Sequence, residues 1–170
     1  DQYLVLLRVL DYKIEETSKQ ISMLKEENPQ AKLLTTIPGI SEYSALLIMA
    51  EIGDIRRFKN AECLCSYAGL VPSTYQSGNK QYHGKITKQG SKWLRWILIQ
   101  AANKAITRDN ALQRFYKRLE QKKGRKIAIV ATARKMLTYI YAMLTLNLEF
   151  NQLQVNKGRV ARAFINRNGC

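Results

Sequence analysis

The sequence predicts an all-α domain with an N-terminal helical arm and a short loop or β-hairpin insertion. Three observations point there. Proline occurs only three times in 170 residues, which leaves long stretches free to be helical. Apolar residues make up 46% of the chain, enough to bury a core and too many for wholesale disorder. Residues that start and stop helices punctuate the apolar runs at regular places.

The arm covers residues 1–28. Tyr3, Leu7, Leu10, Ile14, Thr17, Ile21 and Leu24 alternate at spacings of four and three, a heptad stripe. Such a stripe belongs either to the end of a coiled coil or to an amphipathic helix packed on its own domain. Asn28-Pro29 restarts the chain as an N-cap followed by a first helical residue. The run "QAKLLTTIPGISEYSALLIMAEIGDI" then reads as a short helix, a tight turn at Ile37-Pro38-Gly39-Ile40, and a second helix capped by Ser41 that ends near Gly53. This is the pattern of a helix-hairpin-helix, whose glycine turn presents backbone N–H groups to a phosphate. The turn has one glycine and no lysine, so a structural helix turn fits the same residues.

Residues 60–69 read as a helix with Asn60 as cap and Gly69 as stop. The stretch "VPSTYQSGNKQYHGKITKQG" is a long polar connection, with a hairpin turn expected around Ser77-Gly78-Asn79. Three helices follow, over 91–107, 110–122 and 126–148, with breaks at Asp109 and Gly124. Residues 29–148 thus form the domain, and 149–170 a basic tail. That tail carries Lys157, Arg159, Arg162 and Arg167, and no acid follows Asn151.

Charge narrows the function. The formal net charge is +15, but it is unevenly spread: −4 over residues 1–54 and +19 over residues 55–170. Such asymmetry calls for a polyanionic partner for the second part, and nucleic acid is the usual one. A membrane partner is not expected. The longest uncharged apolar run, Met136 to Leu148, is too short to span, and the basic residues do not line one amphipathic segment. Three cysteines and one histidine, His83, offer no zinc set. An odd cysteine count fits reduced, intracellular thiols, and Cys63 and Cys65 read as small buried residues. The chain begins at Asp1 without a methionine or signal-peptide pattern, as a fragment of a longer protein would.

The stretch "GKITKQGSKWLRW", residues 84–96, carries the chemistry. A helix opening at Ser91 exposes unpaired N–H groups and the positive end of its dipole, both of which favour an anion. Ser91 and Arg95 are four residues apart and project within about 40° of each other on a helix. Lys85, Lys88 and Lys92 lie close by, and Gly90 removes a side chain that would hinder a sugar-phosphate backbone. These are the ingredients for holding a phosphodiester. Ser91 is then either a plain N-cap or a nucleophile. A serine hydroxyl needs something to take its proton. His83 lies eight residues upstream, in the loop, and reads as a loop or phosphate-contacting residue before it reads as a base. Glu51 and Asp54 flank a helix end, with no acidic cluster able to hold Mg²⁺.

From about Leu33 to Tyr116, the markers in order are the Pro38-Gly39 turn, Tyr-Ala-Gly-Leu-Val-Pro at 67–72, Ser77-Gly78, and Lys88-Gln89-Gly90-Ser91 before Leu94-Arg95. Together they resemble the C-terminal transposase domain of the IS-one-ten family, which includes the Piv and MooV DNA invertases and the RNA-guided bridge recombinases. The resemblance implies that Ser91 is the nucleophile that forms a covalent phosphoserine link to DNA. It also implies an N-terminal RuvC-like domain with four acidic, Mg²⁺-binding residues, joined through a coiled coil that mediates assembly. That domain is not in this sequence, so no metal ligand is assigned here and Mg²⁺ is expected only in the acidic partner domain.

The reading is therefore a DNA transposase or site-specific recombinase domain. Ser91 is its catalytic residue, and Lys85, Lys88, Gly90, Lys92 and Arg95 hold the DNA phosphate, helped by the hairpin residues Pro38, Gly39 and Ser41. Tyr75 and Tyr82 are the base-stacking candidates, while Trp93 and Trp96 are expected in the core. The expected partners are DNA, a structured guide RNA, the RuvC-like domain and further copies of the chain, as a dimer or tetramer. The expected setting is the cytoplasm of a prokaryotic cell, at the nucleoid. The competing reading is a non-catalytic helix-hairpin-helix module that only binds nucleic acid.

Overall fold

The computed structural model describes residues 2–77 and 80–155. Among them the chain forms eight α-helices, one 3-10 turn and a two-stranded hairpin, the expected all-α architecture with its insertion. Glycine and asparagine of the expected hairpin turn, Gly78 and Asn79, lie outside the described residues. So do Lys157, Arg159, Arg162 and Arg167 of the tail.

Helix α1 (Gln2–Glu27) is the arm, and none of its residues is buried. Its C-terminal end packs on α2 (Pro29–Leu34) and α3 (Glu42–Ile52). Lys25 donates to Glu26 Oε1 and Glu42 Oε1, each at 2.8 Å, tying the arm to α3. Hydrogen bonds from Lys25, and then from Lys32, hold the Glu26 carboxyl down at about 2. Most of the stripe has no cover: Tyr3, Leu7, Leu10, Ile14 and Leu24 stand in solvent, and Ile21 is half-buried. Asn28 caps α2 by accepting from the Ala31 amide at 3.0 Å, with Pro29 in the first turn, as the sequence requires.

The core is built around α7 (Arg125–Leu146). It touches α2, α4 (Ala61–Tyr67), α5 (Lys92–Arg108), α6 (Asn110–Lys123) and α8 (Phe150–Val155). Its buried residues include Ala128, Thr132, Ala133, Met136, Leu137 and Ile140, spaced to keep one face inward. Each fully buried leucine contributes roughly 2 kcal/mol. The hydroxyls on that face are satisfied: Thr132 donates to the Ala128 carbonyl at 2.8 Å, and the Tyr141 hydroxyl reaches the Phe58 carbonyl at 3.2 Å. By length and composition alone α7 could cross a membrane, but more than half of its most apolar 18-residue stretch is buried by its neighbours. Phe150 and Leu153 of α8 also join the core, so the packed domain runs past residue 148 into the segment expected to be tail.

Two details depart from the sequence reading, the places of the tryptophans and of Cys63. Trp93 and Trp96 are 54% and 44% exposed, because the buried face of α5 is set by Leu94, Ile97, Leu98 and Ala101. Cys63 is exposed in the first turn of α4, while Cys65 is buried. The 70–90 connection is ordered by antiparallel strands β1 (Pro72–Ser77) and β2 (Lys80–Ile86), with an irregularity in register between Pro72 and Thr74.

Candidate functional site

Two separated segments zip together to make the site. The backbone of residues 87–91 lies against that of residues 67–71. Thr87 donates to the Val71 carbonyl (2.9 Å), Lys88 to Gly69 (3.2 Å) and Ser91 to Tyr67 (2.9 Å). The contact is so close that a Cβ on Gly90 would sit 2.0 Å from the Tyr67 carbonyl oxygen, and Gly90 adopts φ 102°. The glycine requirement at 90 is therefore met first by this internal approach. Arg95 reaches back from α5 and donates to the Ala68 carbonyl at 3.0 Å, bracing the same turn. Lys88, with φ 55°, is a left-handed non-glycine residue at the crest of the loop.

Ser91 heads α5 as its N-cap, its Oγ accepting from the Leu94 amide at 2.9 Å. The same Oγ donates to Glu51 Oε2 at 2.7 Å, across 40 residues of sequence. A hydroxyl has one proton and two lone pairs. Here the proton points at a carboxylate, one lone pair takes the cap bond, and one lone pair is left for an electrophile. Glu51 sits in the last turn of α3, and Arg57 steadies that turn by donating to the Glu51 carbonyl at 3.3 Å. The Arg57 guanidinium also lies over the rings of Phe58 and Tyr67, 4.6 and 4.7 Å from their centroids. One arginine thus holds both the helix end that carries Glu51 and the turn that receives Ser91.

Around this pair the surface is cationic. Lys85, Lys88 and Lys92 are exposed and Arg95 is half-buried. The amides of Lys92 and Trp93 precede the first intrahelical bond, from Arg95 to the Ser91 carbonyl, and leave the positive end of a 17-residue helix facing out. Lys92 lies over the Trp93 ring, and Trp93 meets Trp96 edge-on at 6.2 Å. A second basic surface runs along α6 and the start of α7, where Arg114, Lys117, Arg118, Lys122, Lys123, Arg125 and Lys126 are all exposed. A cleft of about 630 Å³ lined by Asp54, Arg56, Lys59 and Tyr141 shares no residue with the Ser91 site.

The other sequence candidates fall elsewhere. Gly39 is buried, and a Cβ there would meet the Ala101 carbonyl and Ala105 amide of α5, each at 2.7 Å. That contact is on the order of 15 Å along the helix from Ser91. The Pro38-Gly39 turn thus uses its glycine to seat α2 and α3 on α5, and Ser41 caps α3 through the Ser44 amide. Tyr75 and Tyr82 are register partners in the β1–β2 ladder, and His83 pairs with Thr74. Among the described residues no three His, Cys, Asp or Glu side chains gather where they could hold a metal ion. Glu51 is the residue the sequence reading passed over. The signal that singles it out is a carboxylate in the last turn of a helix, where the dipole disfavours negative charge.

Residues 31–117 match the model of the Transposase IS116/IS110/IS902 family, half of the chain and all of the elements that build the site. The chain belongs to this transposase family. Among curated relatives it is 41% identical over 137 residues to the pilin gene-inverting protein of Moraxella bovis, covering 78% of this chain and 42% of that protein. It is 30% identical over 139 residues to the transposase for insertion sequence element IS1111A of Coxiella burnetii, covering 79% of this chain and 38% of the relative. The insertion element IS110 protein of Streptomyces coelicolor is 30% identical over 126 residues, covering 74% of this chain and 31% of its own length. The chain thus spans about two fifths or less of the length of these relatives.

Proposed function

We propose that this chain is the serine-bearing part of a DNA recombinase, in which Ser91 attacks a DNA phosphodiester and forms a covalent phosphoserine intermediate. The observation that carries the reading is the Ser91 hydroxyl itself. It is held at the positive end of α5, its proton directed at a carboxylate and one lone pair open, among Lys88, Lys92 and Arg95. A relative named for inverting a pilin gene supports DNA as the substrate. The intermediate is resolved by strand exchange: a sugar hydroxyl of the partner strand displaces Ser91. The basic faces of α6 and α7 bind the flanking backbone, and a structured guide RNA selects the target. The exposed indoles of Trp93 and Trp96 join Tyr75 and Tyr82 as surfaces for stacking against bases.

The reading includes a second, RuvC-like acidic domain, and Mg²⁺ held there rather than by this chain. The uncovered heptad stripe of α1 packs in a coiled coil with further copies, as a dimer or tetramer. The protein works in the cytoplasm, on nucleoid DNA.

The deciding experiment is covalent trapping on suspended or nicked DNA, using the full-length protein with its acidic domain. A denaturation-resistant adduct mapping to Ser91, lost in Ser91→Ala while DNA binding persists, is the expected result. Tight binding with no adduct in any form of the protein would leave only a nucleic-acid-binding module.

Lys88 offers a separate check on the phosphate surface. Its left-handed backbone costs roughly 1–2 kcal/mol, which Lys88→Gly relieves at an entropy cost of about the same size. Stability should therefore change by less than about 1 kcal/mol. Removing one phosphate contact should weaken DNA binding across sequences and reduce the salt slope of log K by about one. Urea melts and binding titrations at several salt concentrations read both.

A further inference from the structure

We infer that Glu51 is the proton acceptor that activates Ser91, so that the nucleophile and its base both lie in this one domain. The inference rests on Ser91 being the nucleophile and names what makes it one. Three observations carry it. The Ser91 proton lies on a 2.7 Å hydrogen bond to Glu51 Oε2, already within the range a general base requires. The cap bond from the Leu94 amide holds the oxygen from a second side, and the Ser91 amide's bond to the Tyr67 carbonyl anchors the main chain beneath it, so that approach to Glu51 is not one rotamer among many. Glu51 is placed against the electrostatics of its own helix, and its side chain's hydrogen bond is to Ser91. It occupies the C-terminal turn of α3, where the helix dipole disfavours a negative charge, and it forms no ion pair among the described residues.

In the forward step the Ser91 Oγ–H bond breaks and its proton passes to Glu51 Oε2, while Oγ bonds to phosphorus. The bond from phosphorus to one sugar oxygen breaks on the opposite side, and that oxygen takes a proton from water. In the reverse step an incoming sugar hydroxyl bonds to phosphorus and gives its proton to water. Ser91 leaves and recovers the proton from Glu51. Each step conserves charge and atoms, and Glu51 is restored at the end. Arg57, after α3, is occupied by the Glu51 carbonyl and by the rings of Phe58 and Tyr67, while Lys88 in the 87–91 strap and Lys92 on α5 are exposed next to Ser91 along the chain, with Arg95 one turn further on. In the proposed step these strap and α5 cations neutralise the phosphate while Glu51 handles the proton.

The test is Glu51→Gln in the full-length recombinase. Glutamine keeps a hydrogen-bond acceptor for the Ser91 hydroxyl at the same reach but cannot take its proton. The expected result is a fall of about 10²-fold or more in the rate of adduct formation at Ser91. DNA affinity and melting temperature should be unchanged. Glu51→Asp, which keeps the carboxylate but withdraws it by one methylene, should retain part of the rate. A wild-type rate in Glu51→Gln would overturn the inference and leave Glu51 as a hydrogen-bonding support. So would recovery of Glu51→Gln by raised Mg²⁺ or Mn²⁺, because the carboxylate would then be a metal ligand. Failure of the underlying reading looks different: the wild-type protein would form no adduct, or Ser91→Ala would keep it, and the inference would fall with it.

Discussion

Exchanging Ser91 for asparagine should leave the domain as stable as the wild type and abolish its DNA adduct entirely. Ser91 has two separable duties, and asparagine can perform only one. As an N-cap it is equivalent to serine, since Oδ1 can accept the Leu94 amide proton in place of Oγ. Its Nδ2 can donate to Glu51, so the long-range tie between α3 and α5 also survives. What asparagine lacks is an oxygen nucleophile. Ser91→Ala, by contrast, loses the cap, about 1 kcal/mol, together with the hydrogen bond to Glu51. In a domain of this size it should lower Tm by a few degrees. Comparing the two variants by thermal melting and adduct trapping therefore isolates chemistry from folding. An adduct that persists in Ser91→Asn would place the nucleophile at another residue, while a melting temperature that drops as far as in Ser91→Ala would mean the cap geometry is misassigned.

Much of the fold was legible because its signals are local. Asn28, Ser41, Asn60, Ser91 and Asp109 all cap helices through side-chain bonds to the third following amide, and each is visible as a residue type ahead of an apolar run. Gly124, at a positive φ, marks the break between α6 and α7 for the same local reason. What stayed hidden depends on contacts far apart in sequence. The exposure of Trp93 and Trp96 follows from which face of α5 meets α7 and α3, and a dense apolar run such as Trp93-Leu94 through Ile97-Leu98 has no unique face to read. Glu51 and Ser91 meet only because the Tyr67 turn receives the strap before α5 and α3 packs beside α5. The glycines at 39 and 90 were recognisable as close-approach positions. The sequence could not say that the approaching groups were α5 and Tyr67 of the chain itself.

Gly90→Ala should be the most damaging single-methyl change in the site, costing about 3–5 kcal/mol and roughly 10 °C in Tm. Two penalties combine there. A φ of 102° is a conformation that a residue with a Cβ rarely adopts, which by itself costs about 1–3 kcal/mol. The added methyl would also lie 2.0 Å from the Tyr67 carbonyl oxygen and 2.9 Å from its carbon, so it meets backbone rather than a side chain that can swing away. Relief requires the 87–91 strap to lift from residues 67–71. That lift stretches the Ser91–Tyr67 and Lys88–Gly69 bonds and moves Ser91 off Glu51. Gly124→Ala supplies the control, for Gly124 has a φ of 81° but nothing within 4 Å of an added Cβ, and should lose only the conformational share. Urea unfolding of the two variants separates strain from collision. The activity of Gly90→Ala, measured at a temperature where it remains folded, reports what a lifted strap does to the nucleophile. A Gly90→Ala domain no less stable than Gly124→Ala would mean that the strap is not pressed against Tyr67, and the positioning of Ser91 by that turn would have to be abandoned.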